Sequence, residues 1–361
     1  MSKIVLFTAN VQGGILQFTL QIYKTLMEEG HKPIIYLPFE IKDCDISKIP
    51  SKNIVQFHKT KRVINQRPYW LIAKKIVSLH PDYVWYMDES VICANIGIFL
   101  PSSIRQLYTA HDAGTHHLTN KLSLRNMVLQ QYTRAMNMFF YKKIYKFILL
   151  SEQSIITFKK SHSQFSKKIE LLPLGAHLPD VESTIPVELE SQINQPYILF
   201  FGRIDKYKGI AKLLKAYSNV SQKALHLIIA GNGEFTKDEQ KAISRCNNLT
   251  VIKRYIKDGE MRWLIENSTA VVLPYIEATQ SGVIPLAYFL GKPVIVSNIP
   301  GLTQFVINKK TGFICDDDQD LEKALITMNV EQAKIMEPSI VLYYKQYLDW
   351  NRNIRKIWDK L

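Results

Sequence analysis

Residues 275–295, YIEATQSGVIPLAYFLGKPVI, decide how this chain is to be read. The apolar run VVLPY carries the chain out of a buried strand, and a polar elbow containing Glu277, Gln280, Ser281 and Gly282 follows. A helix is predicted to begin at the end of that elbow. The first amides of a helix lack partners inside it, so the N–H groups of Ser281, Gly282 and Val283 are predicted to form an anion site at the strand's carboxyl end. Glu277, just outside the turn, repels a bare phosphate but can accept hydrogen bonds from hydroxyl groups. The elbow therefore suits a phosphate and a polyol side by side. Polar strand-to-helix turns occur in every α/β protein, so the neighbouring segments have to decide.

Those segments repeat one unit. Upstream, PYILFFGRIDKYKGI is a strand running into a loop with Gly202, Arg203, Lys208 and Gly209, followed by the helix IAKLLKAYSNV. Arg203 and Lys208 leave the strand end together, where two cations can hold a diphosphate and stabilise it as a leaving group. ALHLIIAGNGE, LTVIKRYI and STAVVLPY read as three more strands, and GEMRWLIENS as a helix. GNGE lacks the third glycine of a dinucleotide fingerprint and follows a later strand, so a nicotinamide site is set aside. Downstream come the strand KPVIVSN, a loop with Pro300 and Gly301, and the strand TGFIC. The acidic turn at Asp316, Asp317 and Asp318 reads as a solvated helix start rather than a metal site. Beyond Pro338 a helical stretch to the terminus carries Ile340, Tyr344, Tyr347, Ile354, Trp358 and Leu361 on one apolar face.

The first half shows the same alternation. KIVLFT is a strand, ANVQGG a loop, and ILQFTLQIYKTLMEEG a helix with Ile15, Phe18, Ile22 and Leu26 at helical spacing. Gly13 and Gly14 allow close approach of a ligand to the backbone, or simply satisfy the turn. HKPIIYLPF, NIVQFH, DYVWYMDES, RQLYTAHD and FILLS supply further strands, with helices at PYWLIAKKIVSLH and EQSIITFKKS, which predicts a parallel α/β sheet. His111 follows one of these strands, and side chains at the carboxyl end of a parallel strand face the ligand crevice. It is placed to meet a substrate hydroxyl, the plain alternative being a hydrogen-bonded turn histidine. His116 and His117 read as surface residues, and with Asp112 they lack the spacing of a zinc pair.

Composition bounds the rest. At 361 residues with 47% hydrophobic and 22% charged side chains, the chain is an ordinary globular protein of two domains. Expected boundaries are 1–180 for the first domain, with residues 339–361 returning to it, a proline-punctuated linker at 181–196, and 197–338 for the second. No apolar run approaches the ~20 residues of a membrane span, and MSKIVLFTAN reads as a first strand rather than a signal peptide. A cytoplasmic location, peripheral on the inner face of the cell membrane, is expected. Cys44, Cys93, Cys246 and Cys315 are scattered and read as reduced thiols.

The formal charge of +14 favours an anionic partner. Residues 121–147 hold six basic and no acidic side chains, with Phe139, Phe140, Tyr141, Tyr145 and Phe147 among them; residues 52–75 hold seven basic and no acidic ones. Such mixtures suit the headgroup layer of an anionic membrane, a solvated basic surface being the plain alternative. Leu124, Val128, Tyr132, Ala135 and Phe139 form one helical stripe, but Lys142 falls on the same face, so a helix ending or bending near 139 is expected.

In order and spacing, FGRIDKYKG, LIIAGNGE, LPYIEATQSGVIPLAYFLGKPVI, PGL and NKKTGF resemble the nucleotide-binding half of glycosyltransferase family 4, retaining enzymes of the GT-B fold, as in bacterial surface-polysaccharide glycosyltransferases. The likeness covers residues 196–330 and extends more loosely to Gly14 and His111. It implies two Rossmann-like domains facing a cleft, a final helix crossing back to the first domain, no cofactor beyond the nucleotide-diphosphate sugar, and no metal. By resemblance, Arg203 and Lys208 hold the donor diphosphate, and Glu277 is the first glutamate of the family's Glu, seven residues, Glu motif, which contacts the donor sugar. Ser281, Gly282 and Val283 reach phosphate, while Gly14 and His111 lie near phosphate and sugar.

Gly202 belongs to the same donor loop, and Tyr255, after LTVIKR, borders the base. The second glutamate of the motif is missing: counting eight forward from Glu277 gives Pro285, and counting back from Gly291 gives Leu286. That leaves Gln280 as a substitute for ribose recognition, or an inactive or altered enzyme. The implied partners are a nucleotide sugar, a glycan or lipid-linked acceptor and an anionic membrane surface, with no nucleic acid. Two other readings compete: a sugar-nucleotide 2-epimerase of the same fold, and a non-enzymatic anion- or nucleic-acid-binding protein.

Overall fold

The structure is a computed structural model. It describes residues 1–10, 13–39, 46, 49–60, 63–111, 124–176, 181–190, 195–220, 222–246 and 248–361, so the readings of Cys44, Asp112, His116 and His117 lie outside the described residues. Two compact units emerge: Met1–Pro173 with Asn351–Leu361, and Leu174–Trp350.

The first unit is built on strands β1 (Lys3–Phe7), β2 (Lys32–Pro38), β3 (Ile54–Phe57), β4 (Tyr83–Tyr86), β5 (Arg105–Ala110), β6 (Ile144–Leu149) and β7 (Ile169–Leu171). They form a sheet in the order β3-β2-β1-β4-β5-β6-β7, and the adjacent strands pair in parallel. The second unit repeats the plan with β8 (Tyr197–Phe201), β9 (His226–Gly231), β10 (Leu249–Lys253), β11 (Ala270–Leu273), β12 (Val294–Ser297) and β13 (Gly312–Cys315), ordered β10-β9-β8-β11-β12-β13. Central strands such as YVWY of β4 and AVVL of β11 are buried at every position, because crossover helices cover both faces of a parallel sheet. In each sheet the strand order reverses once, between β1 and β4 and between β8 and β11. Ligands of such sheets bind at the carboxyl ends of the strands flanking that reversal.

Three sequence expectations change. Within the segment expected to be a linker, residues 181–190 dock on the second unit: Leu189 is 1% exposed, and Glu188 meets Arg254 through two 2.7 Å hydrogen bonds. The basic helix does not end near 139 but runs on as Leu124–Lys143 to the start of β6. Phe140, fully buried, packs edge-on to Tyr86 and Tyr108 and against Gly97, where a Cβ would lie 2.2 Å from its ring. Phe140, Tyr141 and Phe147 are therefore core, and of the five aromatics only Phe139, 56% exposed, looks fully outward.

The C-terminal stretch is two helices, not one. Val330–Tyr343 contains Pro338 and belongs to the second unit; after a wide turn at Tyr344–Leu348 and extended backbone at Asp349, Trp350–Trp358 follows. The part returning to the first unit is thus Asn351–Leu361, where Asn351 accepts hydrogen bonds from Thr25 at 2.7 Å and Gln21 at 3.2 Å. Trp358 packs on His31 and Tyr83, and the Leu361 carbonyl accepts from Arg105 at 2.9 Å.

Candidate functional site

The reversal point of the second sheet gathers the side chains singled out after β8 and β11. Gly202 leaves β8 with φ +141°, a conformation that favours glycine, and a single 3-10 turn at Lys206–Lys208 closes on Gly209 with φ +68°. A Cβ on Gly209 would lie 1.9 Å from the Pro274 carbonyl oxygen, and the Ile276 N–H donates to the Tyr207 carbonyl at 2.8 Å. The loop after β8 and the elbow after β11 are consequently one packed unit, built on neighbouring strands.

Lys208 sits at the heart of it. Its ammonium lies 3.7 Å from the ring centre of Tyr275 and 4.9 Å from that of Tyr207, and among the described residues it enters no ion pair. Burial, and next the Arg203 cation, push it down to about 8, with Asp205 acting against them. Arg203 itself is exposed. Two cations, one of them short of water and of counter-charge, make a place for an anion.

Glu277 is exposed, Gln280 half-buried, and Ser281 buried at 5% exposure. The helix begins at Val283, as expected, but its first amide is engaged: the Val283 N–H donates to Ser281 Oγ at 3.3 Å. The reading of Val283 as a phosphate-binding amide is corrected to that extent, because a serine one position before the cap supplies the acceptor itself. The amides of Ser281 and Gly282 donate to no acceptor among the described residues. The elbow is buttressed by the short helix Pro300–Thr303, where a Cβ on Gly301 would lie 1.9 Å from the Ala278 carbonyl oxygen.

Tyr255 is 67% exposed at the end of β10, two strands from β8. The preceding Arg254 forks to Glu188 and Glu260 with four hydrogen bonds of 2.7–2.8 Å, which hold both carboxyls below the usual carboxylate range. The three aspartates are a helix start: Asp317 accepts from the Asp320 N–H at 2.9 Å, and Asp318 pairs with Lys215 at 2.9 Å. A cavity of ≈ 440 Å³ lies at the amino end of this sheet, lined by Trp263, Asn267, Lys292 and Glu337 among others. Burial lowers Lys292 from its ordinary value, with Glu337 and then Glu266 acting against it.

In the first unit, Gly14 is exposed near the start of the helix Gly13–Glu28, with open space where a Cβ would stand. His111 follows β5, its Nε2 donating to the Met87 carbonyl at 2.8 Å and its ring edge-on to Phe18 at 5.0 Å. Sequence reasoning passed over Asp88. Buried at 3% exposure after β4, its carboxylate accepts from Thr8 Oγ1 at 2.9 Å, from the Ala9 and Asn10 amides at 2.6 and 3.0 Å, and from the Ser90 amide at 3.0 Å. It ties the loop after β1 to the end of β4. The signal was an aspartate directly behind an unbroken apolar strand, where a charge needs fixed donors. Tyr207 and Tyr275 were likewise quoted without a role.

Residues 195–329 match the family described as "Glycosyl transferases group 1". An uncharacterized glycosyltransferase of Methanocaldococcus jannaschii is 20% identical over 90% of this chain and 87% of its own length. The glycosyltransferase of Rickettsia africae has a structure similar to this one, with a TM-score of 0.73, 18% identity, and coverage of 99% of this chain and 97% of that one. Anabaena HepE, solved in complex with UDP-glucose, has a TM-score of 0.73 at 17% identity over 100% of both chains. The two Rossmann-like α/β domains expected from the sequence are those of the GT-B fold.

Proposed function

We propose that this glycosyltransferase, whose residues 195–329 match the family described as "Glycosyl transferases group 1", moves a sugar, with retention, from a nucleotide diphosphate to a hydroxyl of a glycan or lipid-linked acceptor, as in bacterial surface-polysaccharide assembly. The observation that carries this reading is the pair Arg203 and Lys208 at the reversal point of the second sheet, with Lys208 partly buried and without an ion-pair partner among the described residues. The donor's glycosyl–phosphate bond loosens toward an oxocarbenium-like state while Arg203, Lys208 and the amides of Ser281 and Gly282 take up the charge growing on the diphosphate. The acceptor hydroxyl attacks from the leaving-group face, and the departing phosphate oxygen takes its proton. Glu277 accepts from the donor sugar, Gln280 serves the ribose, Tyr255 borders the base, and Gly202 keeps the backbone open to the ligand. In the first unit, Gly14 and His111 are assigned to phosphate and sugar, the Met87 carbonyl holding the imidazole in one orientation.

An anionic membrane surface is proposed as the second partner. The outward face of the helix Leu124–Lys143 shows Met127, Val128, Met138 and Phe139, each more than half exposed, with Arg134 and Lys142 as its charges. Near such a surface each cation contributes ~1 kcal/mol. Among the described residues no helix is long and apolar enough to cross a membrane.

The test is a thermal-shift panel of UDP, GDP and their sugars, in which a true donor at about 100 times its dissociation constant stabilises by ~2.7 kcal/mol. Release of the nucleoside diphosphate in the presence of acceptor then measures transfer. If no nucleoside diphosphate stabilises the protein, the proposal fails.

A further inference from the structure

A buried lysine can escape its desolvation cost by losing its proton or by swinging its flexible stem to water. Among the described residues no carboxylate is ion-paired with Lys208 to prevent either; Asp205 acts on it only as the weakest of its electrostatic neighbours. What faces its ammonium is aromatic: Tyr275 at 3.7 Å and Tyr207 at 4.9 Å from the ring centres, the two rings meeting edge to face at 6.4 Å. Tyr275 is 2% exposed, and its hydroxyl lies near Ser281 with no partner within 3.5 Å among the described residues. Its backbone is clamped on both sides, by Pro274 against Gly209 and by the Ile276 N–H on the Tyr207 carbonyl.

We propose that Tyr275, seconded by Tyr207, is a positioning residue that holds the Lys208 ammonium over its ring face, keeping the lysine charged and aimed in a water-poor site for the incoming diphosphate. This deepens the donor reading of Lys208 and rests on it. An aromatic face attracts a cation through its quadrupole and carries no net charge, so it holds the ammonium without neutralising it. A carboxylate in the same place would compete with the phosphate. The groups that act on Lys208 are the Arg203 cation, the Asp205 carboxylate and the two tyrosines. Of these, only the rings can hold the ammonium in place at short range and leave its charge to a ligand.

The experiment places phenylalanine and then progressively fluorinated phenylalanines at position 275 in the full chain, draining the ring face of negative charge at nearly constant volume. Two quantities are read: UDP affinity by calorimetry, and the pH midpoint of Lys208 acetylation, followed by peptide mass spectrometry without ligand. Tyr275→Phe is expected to stay within about threefold of the wild type. The fluorinated series is expected to lose UDP affinity stepwise, about tenfold in all, with the Lys208 midpoint moving to lower pH in the same steps. A merely structural role for the ring would move neither quantity along the series. A flat series overturns the proposal, and so does a Tyr275→Phe variant as defective as the most fluorinated one, which would assign the role to the hydroxyl. A series in which the Lys208 midpoint follows the ring while the wild type binds neither UDP nor GDP overturns the donor reading, and the purpose proposed here with it.

Discussion

Replacing Lys208 by methionine is expected to stabilise the free protein and weaken diphosphate binding, two effects of opposite sign from one partly buried charge. Burial, and after it Arg203, lower the ammonium from 10.5 to about 8 against the pull of Asp205. At about 1.4 kcal/mol per tenfold in proton affinity this corresponds to roughly 3 kcal/mol, and since the side chain retains some contact with water the working range is ~1–3 kcal/mol. The unfolded chain keeps the proton up to 10.5 while the folded one releases it near 8, so the penalty on folding is full below pH 8 and fades as pH rises toward 10.5. Methionine removes that penalty at nearly the same volume, and the melting temperature should rise by ~2–4 °C per kcal/mol. Charge-assisted hydrogen bonds to phosphate contribute ~1.5–3 kcal/mol, so UDP should bind roughly 10- to 100-fold more weakly. Calorimetry at pH 7, 8 and 9 adds a second check: the wild-type dissociation constant should rise about tenfold across that range as Lys208 loses its proton, and the methionine variant should show no such slope. Undiminished affinity in Lys208→Met, or a wild type indifferent to pH between 7 and 9, would refute the reasoning.

Three further outcomes are expected. Gly209→Ala drives a Cβ into the Pro274 carbonyl at a φ of +68°; chemical denaturation should show a loss of at least ~1–3 kcal/mol, with nucleotide binding lost alongside. Arg254→Met leaves Glu188 and Glu260 without their shared partner. It should cost about 2 kcal/mol at neutral pH, discounted for partial exposure, and because both carboxyls titrate below their ordinary 4.5 in the folded protein the difference from wild type should vanish as pH falls through their folded values in an acid-unfolding series. Glutamate at Met138 and Phe139, both 56% exposed, should leave melting within about 0.5 kcal/mol of wild type while reducing sedimentation with vesicles rich in phosphatidylserine; undiminished co-sedimentation would remove the membrane surface from the proposed partners.

Much of the architecture was legible because parallel strands buried on both faces must be continuous apolar runs, and the turns after them must be polar. KIVLF, YVWY, AVVL and VIVS can be read as strands without coordinates. The candidate residues after β8 and β11 were legible for the same reason: polar and glycine residues cluster where strands end. The aromatics of residues 139–147 were misread because a list of residue types does not say which side of a helix meets a sheet. Phe140 is at 0% and Phe139 at 56% exposure, though they are neighbours in the chain. The linker was misread because Pro and polar residues describe a surface segment equally well whether it is loose or pinned by Arg254.

The order of strands and helices, the alternation that makes two parallel sheets, and the positions of the loops at their carboxyl ends follow from the chain's own periodicity, since burial demands a local pattern. What tertiary structure alone decided is which of those loops meet. β11 lies against β8 although β9 and β10 intervene in the chain, and this adjacency sets Tyr275 under the ammonium of Lys208 and the Pro274 carbonyl against Gly209. Strand order is chosen by the packing of the whole sheet, and no local stretch of sequence carries it; the environment that depresses Lys208, and so prepares it for an anion, exists only once that order has formed.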